Sequence, residues 1–256
     1  MNTALWRPAS GCGDGCRPGA GPHAAPWLAG LRLTGLIAAL AAGLALLLLL
    51  GGSAARLVAR GLLAVLGVRV VHRGPAPRPG SLLVANHVSW IDVLAVVAVT
   101  PMRLVAKHEV GGWPGLGAMA RRAGTIFIDR TRPTTLPETV REVAAALRAG
   151  RSVAVFPEGT TYCGAESGRF RPALFQAAID AGAPVVPTSI GYATTEVSYI
   201  GEDTLLASVL RVVRLRRVTV TVVTAPPLRP AAGADRRALA RAAQRSMAGE
   251  GYRLAA

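Results

Sequence analysis

Three regimes of apolar and polar positions follow one another along the chain. Residues 1–26 are rich in Gly, Pro and Ala with little periodicity, which predicts a disordered tail. From Leu33 to Leu50 the run LTGLIAALAAGLALLLLL carries no charge. As a helix it would reach about 27 Å, close to the roughly 30 Å hydrocarbon core of a bilayer. The long preceding tail and the length of the run favour a retained anchor over a signal peptide. The next segment, SAARLVARGLLAVLG, has helical amphipathicity and is predicted to lie on the same membrane face, so that residues 27–66 form one anchoring unit.

Beyond residue 66 the pattern changes to short apolar runs separated by helical periodicity. The strand-like runs are 68–71, 81–86, 102–107, 125–128, 152–156, 185–190 and 218–223. Between them PETVREVAAALRAG places Val140, Val143, Ala144 and Leu147 on one helical face, with Pro137 near its start and Gly150 at its end. ALFQAAIDAG is a second helix, ending at Gly182. Such alternation predicts an α/β domain over 67–230 with a largely parallel sheet of about seven strands flanked by helices. Residues 231–256 read as a helical C-terminal tail. In such sheets chemistry collects in the loops at the carboxyl ends of strands.

Composition adds charge to this picture. Of the 256 residues, 29 are basic and 14 acidic, a net +15 that calls for an anionic partner. A single lysine, Lys107, stands among many arginines, so part of the excess reflects a compositional skew towards Arg. Nucleic acid is not expected as a partner: the four Trp, four Tyr and four Phe do not interleave with a basic stripe. Arg56, Arg60, Arg69, Arg73 and Arg78 follow the anchor, against Arg7, Arg17 and Arg32 before it, which predicts a cell-membrane protein with its domain facing the cytoplasm. RVVRLRR, ending at Arg217, is a further candidate for contact with anionic headgroups. Cys12 and Cys16 form a CxxxC without a second ligand pair, and Cys163 stands alone, so neither a metal site nor a disulfide framework is expected.

Three polar motifs sit at strand ends. In VANHVSWIDVL, Ser89 and Asp92 fit a capping box, which leaves Asn86 and His87 unexplained. The other reading of the same residues is a dyad. An Asp92 carboxylate on one ring nitrogen of His87 would leave the second nitrogen free as a general base. In GTIFIDRTRP, Arg130 and Arg132 follow a strand, suited either to gripping a phosphate or to a solvated loop. In VAVFPEGTT, Glu158 and Gly159 offer a turn with free N–H groups and a carboxylate for a substrate hydroxyl, or simply a turn shaped by Pro157 and Gly159. Downstream, Arg169 and Arg171 are further anion-binding candidates.

The blocks NH-x4-D, G-x-IFIDR, FPEGT and a V-V-P strand, in that order, resemble the glycerolipid acyltransferase family over about residues 66–228, nearest to its 1-acyl-sn-glycerol-3-phosphate acyltransferases. The resemblance implies that His87 deprotonates the acceptor hydroxyl, that Asp92 orients it, and that acyl transfer is direct. The donor is implied to be acyl-CoA or acyl carrier protein, the acceptor a lysophospholipid, and no cofactor is required. Arg130 and the block Phe156, Pro157, Glu158, Gly159, Thr160 are implied to bind the acceptor. Asn86 would support the loop, and Lys107, Arg169 and Arg171 complete the candidate set. Trp113-Pro114-Gly115 resembles the segment leading to a membrane-facing helix. One departure stands out. Thr161 follows FPEGT where many members carry arginine, a feature of family members acting on other lysolipids such as lyso-ornithine lipid. Direct transfer needs no thiol, so Cys163 reads as a bystander.

Overall fold

The computed structural model describes residues 8–17 and 22–250. The seven strands expected from the apolar runs form one sheet: β1 (Val68–Arg73), β2 (Leu82–Ala85), β3 (Arg103–Lys107), β4 (Ile126–Ile128), β5 (Val153–Val155), β6 (Val185–Tyr192) and β7 (Val218–Thr224). Their order is β1-β7-β6-β2-β5-β3-β4, and every neighbouring pair is parallel except β6 with β7. The central strands β2 and β5 are buried at every position, as continuous apolar runs must be when helices cover both faces.

The helices in chain order are α1 (Pro26–Leu50), α2 (Ala55–Val65), α3 (Ile91–Val99), α4 (His108–Gly111), α5 (Leu116–Arg122), α6 (Leu136–Arg148), α7 (Phe175–Ala181), α8 (Leu205–Arg214) and α9 (Arg236–Glu250). On one face of the sheet α2 and α3 pack with α8; on the other, α6, α7 and α9 cover β2, β4, β5 and β6. The α6 face buries Val140, Val143, Ala144 and Leu147 as its periodicity predicts. Gly150 and Gly182 follow α6 and α7 with φ of 72° and 60°, backbone that a residue with a Cβ rarely adopts.

α1 is the one described helix long and apolar enough to cross a membrane. It is apolar all round, yet only a stripe of Arg32, Leu36, Gly43 and Leu47 is buried. Trp27, Leu31, Ile37 and Leu49 lie bare on its outer side. Gly43 allows the close crossing of α2, since a Cβ there would sit 2.8 Å from Val58. Two expectations about this region change. The apolar face of α2 (Val58, Ala59, Leu62, Leu63) packs into the protein core, because α3 and β1 provide a larger apolar surface than its exposed side. Several arginines used to orient the anchor are also engaged by carbonyls. Arg56 and Arg60 donate to Ala98 and Val99 O at the end of α3, and buried Arg32 donates to Val213, Leu215 and Arg216 O at the end of α8. They dock helices, which weakens the charge argument for orientation.

The amino-terminal region departs from its composition as well. Residues 8–17, expected to be disordered, pack on the domain, with Cys12 only 4% exposed. Arg17 fixes the segment, donating to Asp203 at 3.0 Å and to Ser198 O.

Candidate active site

β2 delivers the chain to the carboxyl end of the sheet, where Asn86 and His87 follow at once. The Asn86 amide extends the ladder to β6. Its Nδ2 donates to Ile190 O at 2.9 Å, and its Oδ1 accepts from Ile190 N at 2.7 Å. That clip fixes where the strand stops and the loop carrying His87 begins.

His87 and Asp92 meet. Nδ1 of His87 lies 2.8 Å from Asp92 Oδ2. The same oxygen accepts the backbone N–H groups of Val88 (2.7 Å) and Ser89 (2.9 Å), and Oδ1 accepts from the Tyr192 hydroxyl at the end of β6. Both sequence readings are therefore partly realised. Asp92 returns to the Ser89 N–H as in a capping box, but α3 begins at Ile91 and the Ser89 hydroxyl only approaches Ile91 N at 3.4 Å. Because these donors point at one fully buried carboxylate, Nδ1 of His87 carries its proton and Nε2 is left as the acceptor. Burial, then the negative charge of Asp92, raise the Tyr192 hydroxyl far above its ordinary pKa, so it remains a donor.

The third block holds this loop from the other side. Phe156, just past β5, stacks on the His87 ring with centroids 4.1 Å apart. Glu158 is buried; Oε2 accepts the His87 N–H at 2.7 Å and Oε1 the Gly168 N–H at 2.9 Å. Tyr162 N–H donates to His87 O at 2.8 Å. Both backbone groups of His87 are thus fixed. The Glu158 carboxylate, expected to accept from a substrate hydroxyl, instead bridges two loops. Burial pushes its pKa up to about 7, against the opposing pull of the two N–H donors. The N–H groups of Val88 and Ser89 are taken by Asp92.

Beside the dyad lies a cationic group. Arg130, past β4, donates to Gly159 O, and its guanidinium senses the charges of Glu109 and Arg171. Burial is the main influence lowering its pKa. Lys107, the last residue of β3, is lowered first by desolvation and then by Arg130. The Arg171 side chain approaches Gly159, and its backbone N–H closes on Pro157 O at 2.9 Å. Arg130 and Arg171 therefore meet at Gly159 of the FPEGT turn, with Lys107 within electrostatic range of Arg130, while Arg169 is exposed. Asp129 does not face this group; its carboxylate is tied to Thr131 and Arg132. Thr161 turns its hydroxyl to Tyr199 O. Gln244 of α9 clamps the loop that meets Glu158, donating to Gly168 O at 2.8 Å and accepting from Phe170 N at 3.1 Å.

Comparison with known proteins identifies the family. The family description "Acyltransferase" matches residues 67–191. A 1-acyl-sn-glycerol-3-phosphate acyltransferase of Neisseria meningitidis is 39% identical over 173 residues, 64% of this chain and 67% of the relative. The chain belongs to the glycerolipid acyltransferase family. A lyso-ornithine lipid O-acyltransferase of Pseudomonas aeruginosa is 38% identical over 191 residues, 73% of each protein. Among solved structures, the 1-acyl-sn-glycerophosphate acyltransferase of Thermotoga maritima shares the fold, with a TM-score of 0.60 over 77% of each chain and 22% identity.

The family blocks lead to His87, Asp92 and the FPEGT turn, but no block pointed to Tyr192 or Gln244. Tyr192 ends the strand that V-V-P begins, and its alternation with Ile190 on that buried strand was the available signal. Gln244 lies in a polar helix with nothing to set it apart.

Proposed function

We propose that this glycerolipid acyltransferase moves an acyl group from acyl-CoA, or acyl carrier protein, to the free hydroxyl of 1-acylglycerol-3-phosphate, giving phosphatidic acid. The carrying observation is the His87 imidazole, locked through Nδ1 by a buried carboxylate, with Arg130 and Arg171 meeting at Gly159, the residue after the Glu158 that holds the His87 backbone. His87 Nε2 takes the hydroxyl proton as the acceptor oxygen attacks the thioester carbonyl. The tetrahedral intermediate expels the thiolate, which recovers that proton from the imidazolium. No acyl-enzyme forms. Asp92 stabilises the imidazolium, and the cationic group holds the acceptor phosphate.

The acceptor comes from the membrane. The bare apolar side of α1 is incompatible with water over its length and fits contact with acyl chains. Exposed Arg214, Arg216 and Arg217 lie at the end of α8 that Arg32 of α1 engages, and there they meet anionic headgroups. The domain faces the cytoplasm, the side on which the thioester donor is available.

A second acceptor is favoured by one observation. Thr161 stands where an arginine would add a further phosphate contact, and it is bonded to Tyr199 O. A lysolipid without phosphate, such as lyso-ornithine lipid, is the alternative substrate of the same mechanism. Release of CoA from palmitoyl-CoA by the detergent-solubilised chain, with each acceptor in turn, separates the two. Turnover on lysophosphatidic acid that vanishes in His87→Ala supports the primary reading, and turnover confined to lyso-ornithine lipid supports the alternative. Full activity in His87→Ala would overturn the mechanism.

A further inference from the structure

The three cysteines of the chain, separate in sequence, come together in the fold. Cys12 and Cys16 sit on either side of a tight turn at Asp14–Cys16, closed by Cys16 N–H to Gly13 O at 2.9 Å. Cys163 lies on the loop that leaves the FPEGTT block, and all three Sγ atoms lie within 4.8 Å of one another. Cys12 and Cys163 are each only 4% exposed, while Cys16 is partly open to solvent. Ile200 seals the inner side.

We propose that Cys12, Cys16 and Cys163 bind a zinc ion that latches the amino-terminal segment onto the loop beside the catalytic histidine. Four observations carry this. Three thiols on a CxxxC turn and one distant loop give a soft donor set that selects zinc over hard cations. Tetrahedral zinc with Zn–S near 2.3 Å needs S···S edges of about 3.8 Å, so the cluster has only to tighten. A further donor is near: Glu166 Oε2 is 3.8 Å from Cys12 Sγ but stands outside the three-sulfur group, so this exposed side chain turns inward to supply the fourth ligand. Backbone N–H groups also point at sulfur, that of Cys163 lying 3.3 Å from Cys12 Sγ. Such donors stabilise thiolates.

Three sulfurs this close cannot all ionise unaided, and a divalent cation reverses that balance by displacing their protons to solvent, up to three per ion bound.

The latch would reach the active site through the chain. The Tyr162 N–H that holds His87 O is adjacent to Cys163, and the Ser198 hydroxyl donates to Cys163 O at 3.2 Å. At the other end of the same segment Pro8 lies against Gly159, where a Cβ would come within 2.8 Å of it. The start of this segment therefore lies on the turn that Arg130 and Arg171 contact. This site is structural and independent of which lysolipid is acylated.

The test is metal content and binding with the reduced full chain in detergent. Wild type is expected to hold about one zinc per chain and, after chelation, to bind Co²⁺ with the ligand-field and sulfur charge-transfer bands of a tetrahedral thiolate site. Cys16→Ser, at the partly open position where folding is least at risk, should lower zinc affinity at least about tenfold. Cys16→His, which restores a zinc ligand, should recover binding, and His87→Ala should leave it unchanged. Zinc should raise the thermal midpoint of the apo wild type but not of Cys16→Ser. A reduced wild type that binds neither metal would overturn the proposal. So would zinc binding that Cys16→Ser, Cys12→Ser and Cys163→Ser all leave intact.

Discussion

Replacing Asp92 by Asn tests the electrostatic core of the proposed mechanism while leaving the loop's shape intact. The Asn carbonyl can take the place of Oδ2 and keep the His87, Val88 and Ser89 donors, and its amide can donate to the Tyr192 oxygen. Only the charge is lost. With Nδ1 at 2.8 Å from the carboxylate oxygen, the imidazolium and carboxylate charge centres lie roughly 4 Å apart. At an effective dielectric near 20 their attraction is about 4 kcal/mol. Because the imidazolium develops only as the hydroxyl attacks, that stabilisation belongs to the transition state, and its loss corresponds to about three decades in rate. Thioester turnover, followed by trapping the released thiol, should fall by about 10³ in kcat with little change in acceptor KM. The thermal midpoint should move by only a few degrees, the equivalent of about 1 kcal/mol. A variant that folds and stays within tenfold of wild type would refute the assignment of His87 as a charged intermediate in proton transfer.

Other sites give independent tests. Glu158 has a folded-state pKa of about 7 against an ordinary 4.5, so the native chain holds this proton more tightly than the unfolded one. Its stabilising contribution is full below pH 4.5 and is lost as pH rises through 7, up to about 3 kcal/mol. Thermal midpoints measured from pH 5 to 8 should decline more steeply in wild type than in Glu158→Gln; equal slopes would count against the raised pKa. Arg130→Ala should raise KM for lysophosphatidic acid by about 10- to 100-fold with a smaller effect on kcat, the loss of a charged hydrogen bond worth about 1.5–3 kcal/mol. Steady-state kinetics showing only a kcat effect would move Arg130 out of the acceptor site. Changing Arg214, Arg216 and Arg217 to Gln should weaken binding to anionic vesicles by about 100-fold, at about 1 kcal/mol per charge, with neutral vesicles unaffected. Gly117→Ala should destabilise the α4–α5 corner by about 1–3 kcal/mol in thermal unfolding, because the new Cβ would fall 2.2 Å from Gly111 O.

The sheet was legible because its physics is local. Runs such as LLVA and VAV can only be buried strands in an alternating α/β chain, and each found its place. The meeting of His87 with Asp92 was legible for the same reason: both lie within one loop and one helical turn. What escaped detection depends on partners far along the chain. Glu158 reads as a substrate contact until β5 is set beside β2, which turns its carboxylate to the His87 N–H. The apolar stripe of α2 carries no mark that distinguishes a membrane partner from α3 and β1. The GCGDGC turn has a disordered composition, and its order comes from Cys163 and Asp203, more than 150 residues later.

The two-sided grip on the His87 backbone has a consequence for synthesis. The Glu158 carboxylate lies 71 residues beyond the histidine it holds, and Tyr192 lies 100 residues beyond Asp92. A chain emerging from the ribosome exposes α1 before the residues that hold His87 and Asp92. On the proposed function, the protein reaches lipid before it can activate a hydroxyl, so a half-made chain has no means of passing acyl groups to water.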